Sequence, residues 1–134
     1  MAFFSNPALD GGKGVWFFGA VATKTGVVLA VYRVSKKNQK KLLTLLPRKR
    51  RYFLKAGYVT RRPPLLLRSR KNPELFIDIF EWKGGAAVAR AHKDPKVLAI
   101  WGELGKLCKK IGVGLKNLPE GEGVFPHFDP VDVY

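Results

Sequence analysis

The chain has 134 residues, which is enough for one domain that buries roughly two thirds of its unfolded surface. Hydrophobic residues make up 46% of the chain and charged residues 26%, and this composition excludes a disordered or fibrous protein. The formal net charge of +15 bears on which molecules the protein binds and does not bear on its fold. The single cysteine, Cys108, excludes an intrachain disulfide and favours a cytoplasmic protein.

The first 25 residues are rich in glycine, so we expect an N-terminal arm there and one domain over residues 26–134. The apolar stretch of residues 15–22 is too short to cross a membrane and has poor flanks for a signal peptide. No membrane partner is therefore expected.

The next segment predicts a strand followed by a helix. Residues 26–34 form a near-continuous apolar, mostly β-branched run that is typical of a buried strand. Ser35 is a plausible helix N-cap, and leucines and aromatic residues then recur at helical spacing until Gly57. Pro47 lies inside this pattern and predicts a kink or a fresh helix start.

A β-hairpin is predicted from residues 64–70 and 75–82, which flank a turn signal at residues 71–73. The second strand is apolar on both alternating faces, although Asp78 lies on the same face as its aromatic residues. A strand that is apolar on both faces is normally buried on both, with other parts of the protein packed against each face. One helical layer covers one face, so a second protomer is expected to cover the other.

The last third predicts two helices and a closing strand. An alanine-rich helix is expected over residues 86–92, and Asp94-Pro95 is a strong start for the next one. Its core-facing stripe consists of Val97, Trp101, Leu104, Cys108 and Ile111. Residues 124–131 then predict an edge strand. The order βαββαβ predicts an α+β, ferredoxin-like fold with an antiparallel sheet.

Several segments within residues 27–131 resemble the antibiotic biosynthesis monooxygenase family of the dimeric α/β-barrel superfamily. The resemblance is carried by the strand that ends in Glu81-Trp82 and by an Ala-His-x-x-Pro sequence at residues 91–95, with support from residues 28–34, 62–65 and 125–128. It implies a homodimer whose sheets form a barrel, and a cleft between each sheet and its helices. Some relatives oxygenate polycyclic phenols without metal or flavin, so no cofactor is expected.

Other members of the superfamily degrade haem, typically with an asparagine on the first strand and an iron-binding histidine on the last helix. Trp82 could fill the role of their tryptophan. Residues 27–34 contain no Asn and residues 95–111 contain no His, which argues against haem degradation here.

The leading hypothesis is therefore a small-molecule-binding protein or a monooxygenase-like enzyme with an aromatic ligand. Its cleft is expected to be lined by Trp82, His92, Trp101 and Phe128, although large aromatic residues at these spacings also suit a core. His92 and Asp78 are the candidate catalytic groups. The alternatives are that His92 only caps a helix, where the helix dipole favours its cation, and that Asp78 pairs with an arginine across strands or an interface.

The alternative function is a binding module for nucleic acid or another polyanion. Residues 33–71 contain fifteen basic residues and no acidic one, so the whole net charge is concentrated there. The candidate contacts are Arg48, Lys49, Arg50, Arg51, Arg61 and Arg62. A solvated, non-binding surface is the plainer interpretation. No hydrolytic triad, metal-ligand cluster or phosphate loop is apparent in the sequence.

Overall fold

A computed structural model describes residues 25–134, so the predicted N-terminal arm lies outside the described residues except for Thr25. The described chain is α+β, with five strands and three α-helices. In chain order the elements are β1 (Gly26–Arg33), α1 (Gln39–Ala56), β2 (Leu65–Ser69), β3 (Leu75–Trp82), α2 (Gly85–Ala91), α3 (Pro95–Leu107), β4 (Lys110–Ile111) and β5 (Phe128–Pro130). Short 3₁₀ turns occur at Lys36–Asn38, Leu115–Asn117 and Pro119–Glu122.

The sheet is antiparallel throughout, with strand order β4-β1-β3-β2-β5. This architecture is compatible with the predicted ferredoxin-like fold. The edge strand predicted within residues 124–131 is confirmed in part, because β5 pairs with β2 at one edge of the sheet. The sequence did not predict β4, which pairs with β1 at the opposite edge. Only Phe128–Pro130 of the predicted stretch pairs. Pro126 has no N–H for a ladder, and Val124 and Phe125 project into solvent.

The two faces of β3 are both buried, as predicted. Phe76, Phe80 and Trp82 point toward the helices and join the main core. Leu75 and Ile77 point to the opposite face, where Leu118 and Phe128 pack on them. The chain therefore covers one end of that face with its own C-terminal third, rather than leaving all of it to a second protomer. At the other end the apolar residues remain exposed: Val27, Leu29 and Leu65.

The helix α1 is continuous through Pro47, so the predicted fresh helix start was wrong. Pro47 removes one backbone donor, but the buried stripe on either side keeps the flanking turns against the sheet. Gly57 ends the helix in the left-handed conformation, with φ of 80°, as expected for a C-terminal glycine. Ser35 precedes the 3₁₀ turn instead of the α-helix, and its side chain forms no capping bond.

The helix α3 begins as predicted and ends earlier. The Asp94 carboxylate accepts a hydrogen bond from the Lys96 N–H at 2.9 Å, and Pro95 occupies the first turn. The same carboxylate accepts bonds from the hydroxyls of Tyr52 and Tyr58, which ties α3 to α1 and its C-terminal loop. The helix stops at Leu107 because the following residues turn into β4, so the predicted helical stripe does not extend to Ile111.

Candidate functional site

A cleft of about 300 Å³ lies between the sheet and the helices, near the edge where β1 meets β4. Most of its sheet wall comes from alternate residues of β1 and β3, because alternate residues of a strand share one face, and Leu29 of β1 also borders it. Trp101 on α3 and Lys49 on α1 complete it. The lining residues are Val28, Leu29, Ala30, Tyr32, Lys49, Phe80, Trp82, Trp101, Ile111 and Gly112. The lining is mostly apolar and contains no carboxylate.

Aromatic rings form a continuous row beside this cleft. Phe53 lies at its centre, with its ring centroid 5.7 Å from that of Trp82 and 6.4 Å from that of Trp101. The ring centroids of Trp82 and Phe80 are 5.6 Å apart, and those of His92 and Trp101 are 4.9 Å apart. Aromatic rings with centroids at these separations form stabilising edge-to-face and tilted contacts. The row therefore forms a firm aromatic wall.

The cleft lining contains two of the four residues that were expected there, and His92 and Phe128 are not among its lining residues. Trp82 and Trp101 line it, and His92 lies at its margin against Trp101. The expectation for Phe128 was wrong: it belongs to β5 at the far edge and packs on the opposite face of the sheet. The sequence does not show that β5 lies at this edge of the sheet, nor which face of the sheet the Phe128 side chain takes.

His92 follows the last residue of α2, as the helix-end interpretation requires. Burial lowers the pKa of its imidazole below the ordinary value of 6.5. The neutral form is therefore favoured at neutral pH, although the helix dipole alone would favour the cation. A neutral imidazole at the margin of the cleft can accept or donate one hydrogen bond.

A buried ion pair lies behind the aromatic wall. The Lys49 ammonium is 3.3 Å from Oδ2 of Asp78, and the two side chains are only 5% and 1% exposed. Oδ1 of Asp78 accepts a hydrogen bond of 2.6 Å from the Tyr134 hydroxyl. Lys49 Nζ also lies 4.0 Å from the centre of the Phe80 ring, a cation–π contact. The predicted pairing of Asp78 with an arginine was therefore wrong, because its partner is a lysine from α1.

This arrangement constrains what Asp78 can do. Both of its oxygens face protein groups, and Lys49 lines the cleft whereas Asp78 does not. Asp78 therefore lies outside the cleft lining and pairs with Lys49, which belongs to it. Tyr134 and Tyr32 remain protonated, since burial, together with the Asp78 charge, raises the pKa of each phenol well above its usual range.

The basic segment does not form one uniform surface. Of the six predicted polyanion contacts, Lys49 is buried and cannot contact a polyanion on the surface. Arg48 pairs with Glu103 and Arg62 with Glu81, while Arg50 is half-buried and donates to the Arg62 carbonyl. Arg51 and Arg61 are exposed, and within residues 25–134 neither forms an ion pair.

A second concavity, of about 470 Å³, lies between α1 and α3. Leu45 and Leu107 provide its apolar part, and four cations and one carboxylate surround them: Lys40, Lys41, Arg48, Lys106 and Glu103. We call this the α1–α3 groove. Lys40 and Lys41 belong to the predicted basic segment but not to its six candidate contacts, and Lys106 lies outside that segment.

Two site residues were missed although the sequence contained a signal for one of them. Lys49 lies three residues after Leu46 and four before Phe53, which places it on the buried stripe of α1. A lysine on such a stripe needs a buried partner, and Asp78 is the carboxylate on the inward face of β3. Nothing in the spacing places Tyr134 beside them.

The family scan and the search of curated proteins match no family and no similar protein to this chain. The resemblance to antibiotic biosynthesis monooxygenases therefore rests on the residues quoted above. Among residues 25–134 there is no cluster of side chains suited to hold a metal ion, and no helix there is long and apolar enough to span a membrane.

Proposed function

We propose that this protein binds an aromatic small molecule in the cleft between the sheet and the helices. The observation that carries the proposal is the open volume of about 300 Å³ beside Phe80, Trp82 and Trp101. Ligand pockets typically begin at about this size and combine apolar walls with a few polar groups. Lys49 and Tyr32 are the polar groups of this lining.

Planar ligands fit this lining best, because indole rings offer flat apolar faces and large contact areas. The resemblance to antibiotic biosynthesis monooxygenases points to the same class, polycyclic phenols and quinones. Binding can be tested by the change in melting temperature with such compounds. A ligand present at 100 times its Kd would add about 2.7 kcal/mol to the stability of the folded protein.

A cavity-filling variant tests whether the ligand occupies this cleft. Ala30 lines the cleft, whereas Ala86 is exposed on α2. Ala30→Leu should weaken binding because its larger side chain takes ligand space, and the matched control Ala86→Leu should bind like the wild type. Equal binding by all three proteins would place the ligand elsewhere, and no binding by the wild type would refute the proposal.

Turnover distinguishes a monooxygenase-like enzyme from a binding protein. The cleft would contribute by excluding water and by holding a phenolate or enolate where molecular oxygen can reach it. Oxygen consumption with a bound polycyclic phenol, measured without added metal or flavin, identifies an enzyme. Binding without oxygen uptake across the phenol series identifies a binding protein.

We also propose that the protein is a homodimer. Val27, Leu29 and Leu65 are 54%, 45% and 47% exposed, and register places Leu29 and Leu65 on either side of Ile79. A second copy would cover this apolar row. Light scattering should give twice the chain mass of 15.0 kDa. Leu29→Lys should release a monomer, and Leu98→Lys, at an exposed position of α3, should not.

The α1–α3 groove supports a second candidate function, the binding of a polyanion. Its four cations outnumber its one carboxylate, and Arg48 already pairs with that carboxylate. Affinity for heparin, duplex DNA and single-stranded RNA should fall about a thousandfold between 50 and 200 mM salt if six phosphates are contacted. Weak binding that is unchanged in a variant with Lys40, Lys41 and Lys106 replaced by Gln would leave these charges as a solvated surface.

A further inference from the structure

We propose that Lys49 makes the cleft selective for aromatic ligands that carry a negative oxygen, as in a phenolate or a carboxylate. This inference rests on the proposed binding function and adds the charge of the ligand to it. It depends on three features: the charge of the cleft lining, the excess of cations over carboxylates beside Asp78, and the position of the Lys49 ammonium.

The lining contains one cation and no carboxylate. Lys49 lines the cleft, and the remaining lining is apolar apart from the phenol of Tyr32. An anion that enters such surroundings loses hydration, but its attraction to the Lys49 ammonium is stronger there than in water and offsets this cost, whereas the same ammonium repels a cationic ligand. The electrostatics therefore favour an anion at the Lys49 end.

Asp78 does not fully neutralise this part of the core. Arg50 lines the same small cavity as Lys49, Asp78 and Tyr134. Its Nη1 is buried without a hydrogen-bond partner, and within residues 25–134 no carboxylate forms an ion pair with Arg50. Burial lowers the pKa of Arg50, as expected for a cation that is poorly compensated. Two cations thus lie beside one carboxylate, which among the described residues forms an ion pair only with Lys49, and this leaves a local positive charge.

The contacts of Lys49 leave its ammonium able to donate a hydrogen bond to a ligand. An ammonium carries three N–H donors. At 3.3 Å its ion pair with Asp78 is longer than a typical charge-assisted hydrogen bond, and its other neighbours include the faces of Phe80 and Phe53. The Tyr134 hydroxyl donates to the other oxygen of Asp78, so the position of the carboxylate does not depend on Lys49 alone.

A matched pair of probes tests the inference. 2-Naphthoate and 2-naphthamide have the same ring and nearly the same size, and only the first is an anion at pH 7. Binding can be followed by quenching of tryptophan fluorescence, since Trp82 and Trp101 line the cleft. A charge-assisted bond to Lys49 predicts that the wild type binds naphthoate about ten- to a hundredfold more tightly than naphthamide.

Variants then assign the preference to Lys49. Lys49→Met together with Asp78→Asn removes both buried charges and should abolish the preference for naphthoate while naphthamide still binds. Lys49→Arg, which keeps a cation, should retain it. Arg51→Met removes an exposed cation from the same helix and should leave both affinities unchanged, which controls for the net charge of the protein.

The outcomes separate the inference from the function on which it rests. Equal affinity of the wild type for the two probes would overturn the role of Lys49 but would support an aromatic cleft. A preference that is retained when both buried charges are removed would overturn it as well. If neither probe binds at millimolar concentration, the proposed cleft function fails, and the inference fails with it. The wild-type measurement needs no variant, so a misfolded variant cannot leave the question open.

Discussion

The buried Lys49–Asp78 pair allows a sharp test of the structure through a double-mutant cycle. Lys49→Met leaves the Asp78 carboxylate, which is 1% exposed, without its nearest cation. Loss of one partner of a buried pair typically costs about 3–5 kcal/mol. We expect the low end of this range, because Tyr134 still donates to Asp78 and Arg50 remains close. Asp78→Asn should cost less, since the Lys49 ammonium retains its contact with the Phe80 ring.

The double variant should be much more stable than the sum of the single changes predicts. It carries neither buried charge, so the desolvation cost that each single variant leaves uncompensated is absent. We expect a coupling energy of about 2 kcal/mol, measured by urea unfolding followed by circular dichroism. The exposed pair Arg48–Glu103, whose side chains are 50% and 47% accessible, is the control, with an expected coupling below about 1 kcal/mol. If the losses of unfolding free energy in the two single variants simply add up in the double variant, the buried Lys49–Asp78 pair is refuted.

Three further predictions follow from other parts of the fold. Pro47→Ala should raise stability by about 1–3 kcal/mol in urea unfolding, because it restores a backbone donor within α1; a loss of stability would contradict this. The hydroxyls of Tyr52 and Tyr58 lower the pKa of Asp94 in the folded protein. The ionised Asp94 carboxylate therefore stabilises the fold fully above about pH 4, and this stabilisation is lost as the pH falls through the pKa of Asp94 in the folded state. The melting temperature of the wild type should exceed that of Asp94→Asn at pH 6, and this difference should shrink below pH 4. Burial raises the pKa of Cys108 to about 11, so native protein at pH 8 should react with iodoacetamide much more slowly than protein unfolded in urea; equal rates would place the thiol in solvent.

The elements with regular apolar patterns could be predicted closely from the sequence. The bounds of β3 agree with the prediction, and those of β1 differ by one residue. The start of α3 was predictable because an Asp-Pro pair specifies a cap by local chemistry alone. These features depend on neighbours along the chain, and periodicity reports such neighbours directly.

The errors occurred where distant parts of the chain decide the structure. The helical stripe that ended at Ile111 in the prediction stops at Leu107, because the Lys109 N–H bonds to the Arg33 carbonyl and the chain joins the sheet. Phe128, which was expected to line the cleft, lies outside its lining. Two short edge strands on opposite sides of the sheet put it on the other face. Strand order is a long-range property that no local pattern contains.

The four consecutive basic residues 48–51 show why a charge run cannot be interpreted as one surface. Successive helical positions differ by about 100° around the axis, so four of them cannot share a direction. Arg48 borders the α1–α3 groove and Arg51 faces solvent, whereas Lys49 points into the core and lines the cleft. Arg50 lies between these environments, half-buried beside Asp78. One basic turn of α1 therefore supplies charge to two separate concavities. A change in net charge alone cannot distinguish their functions, whereas substitutions chosen by helical direction can.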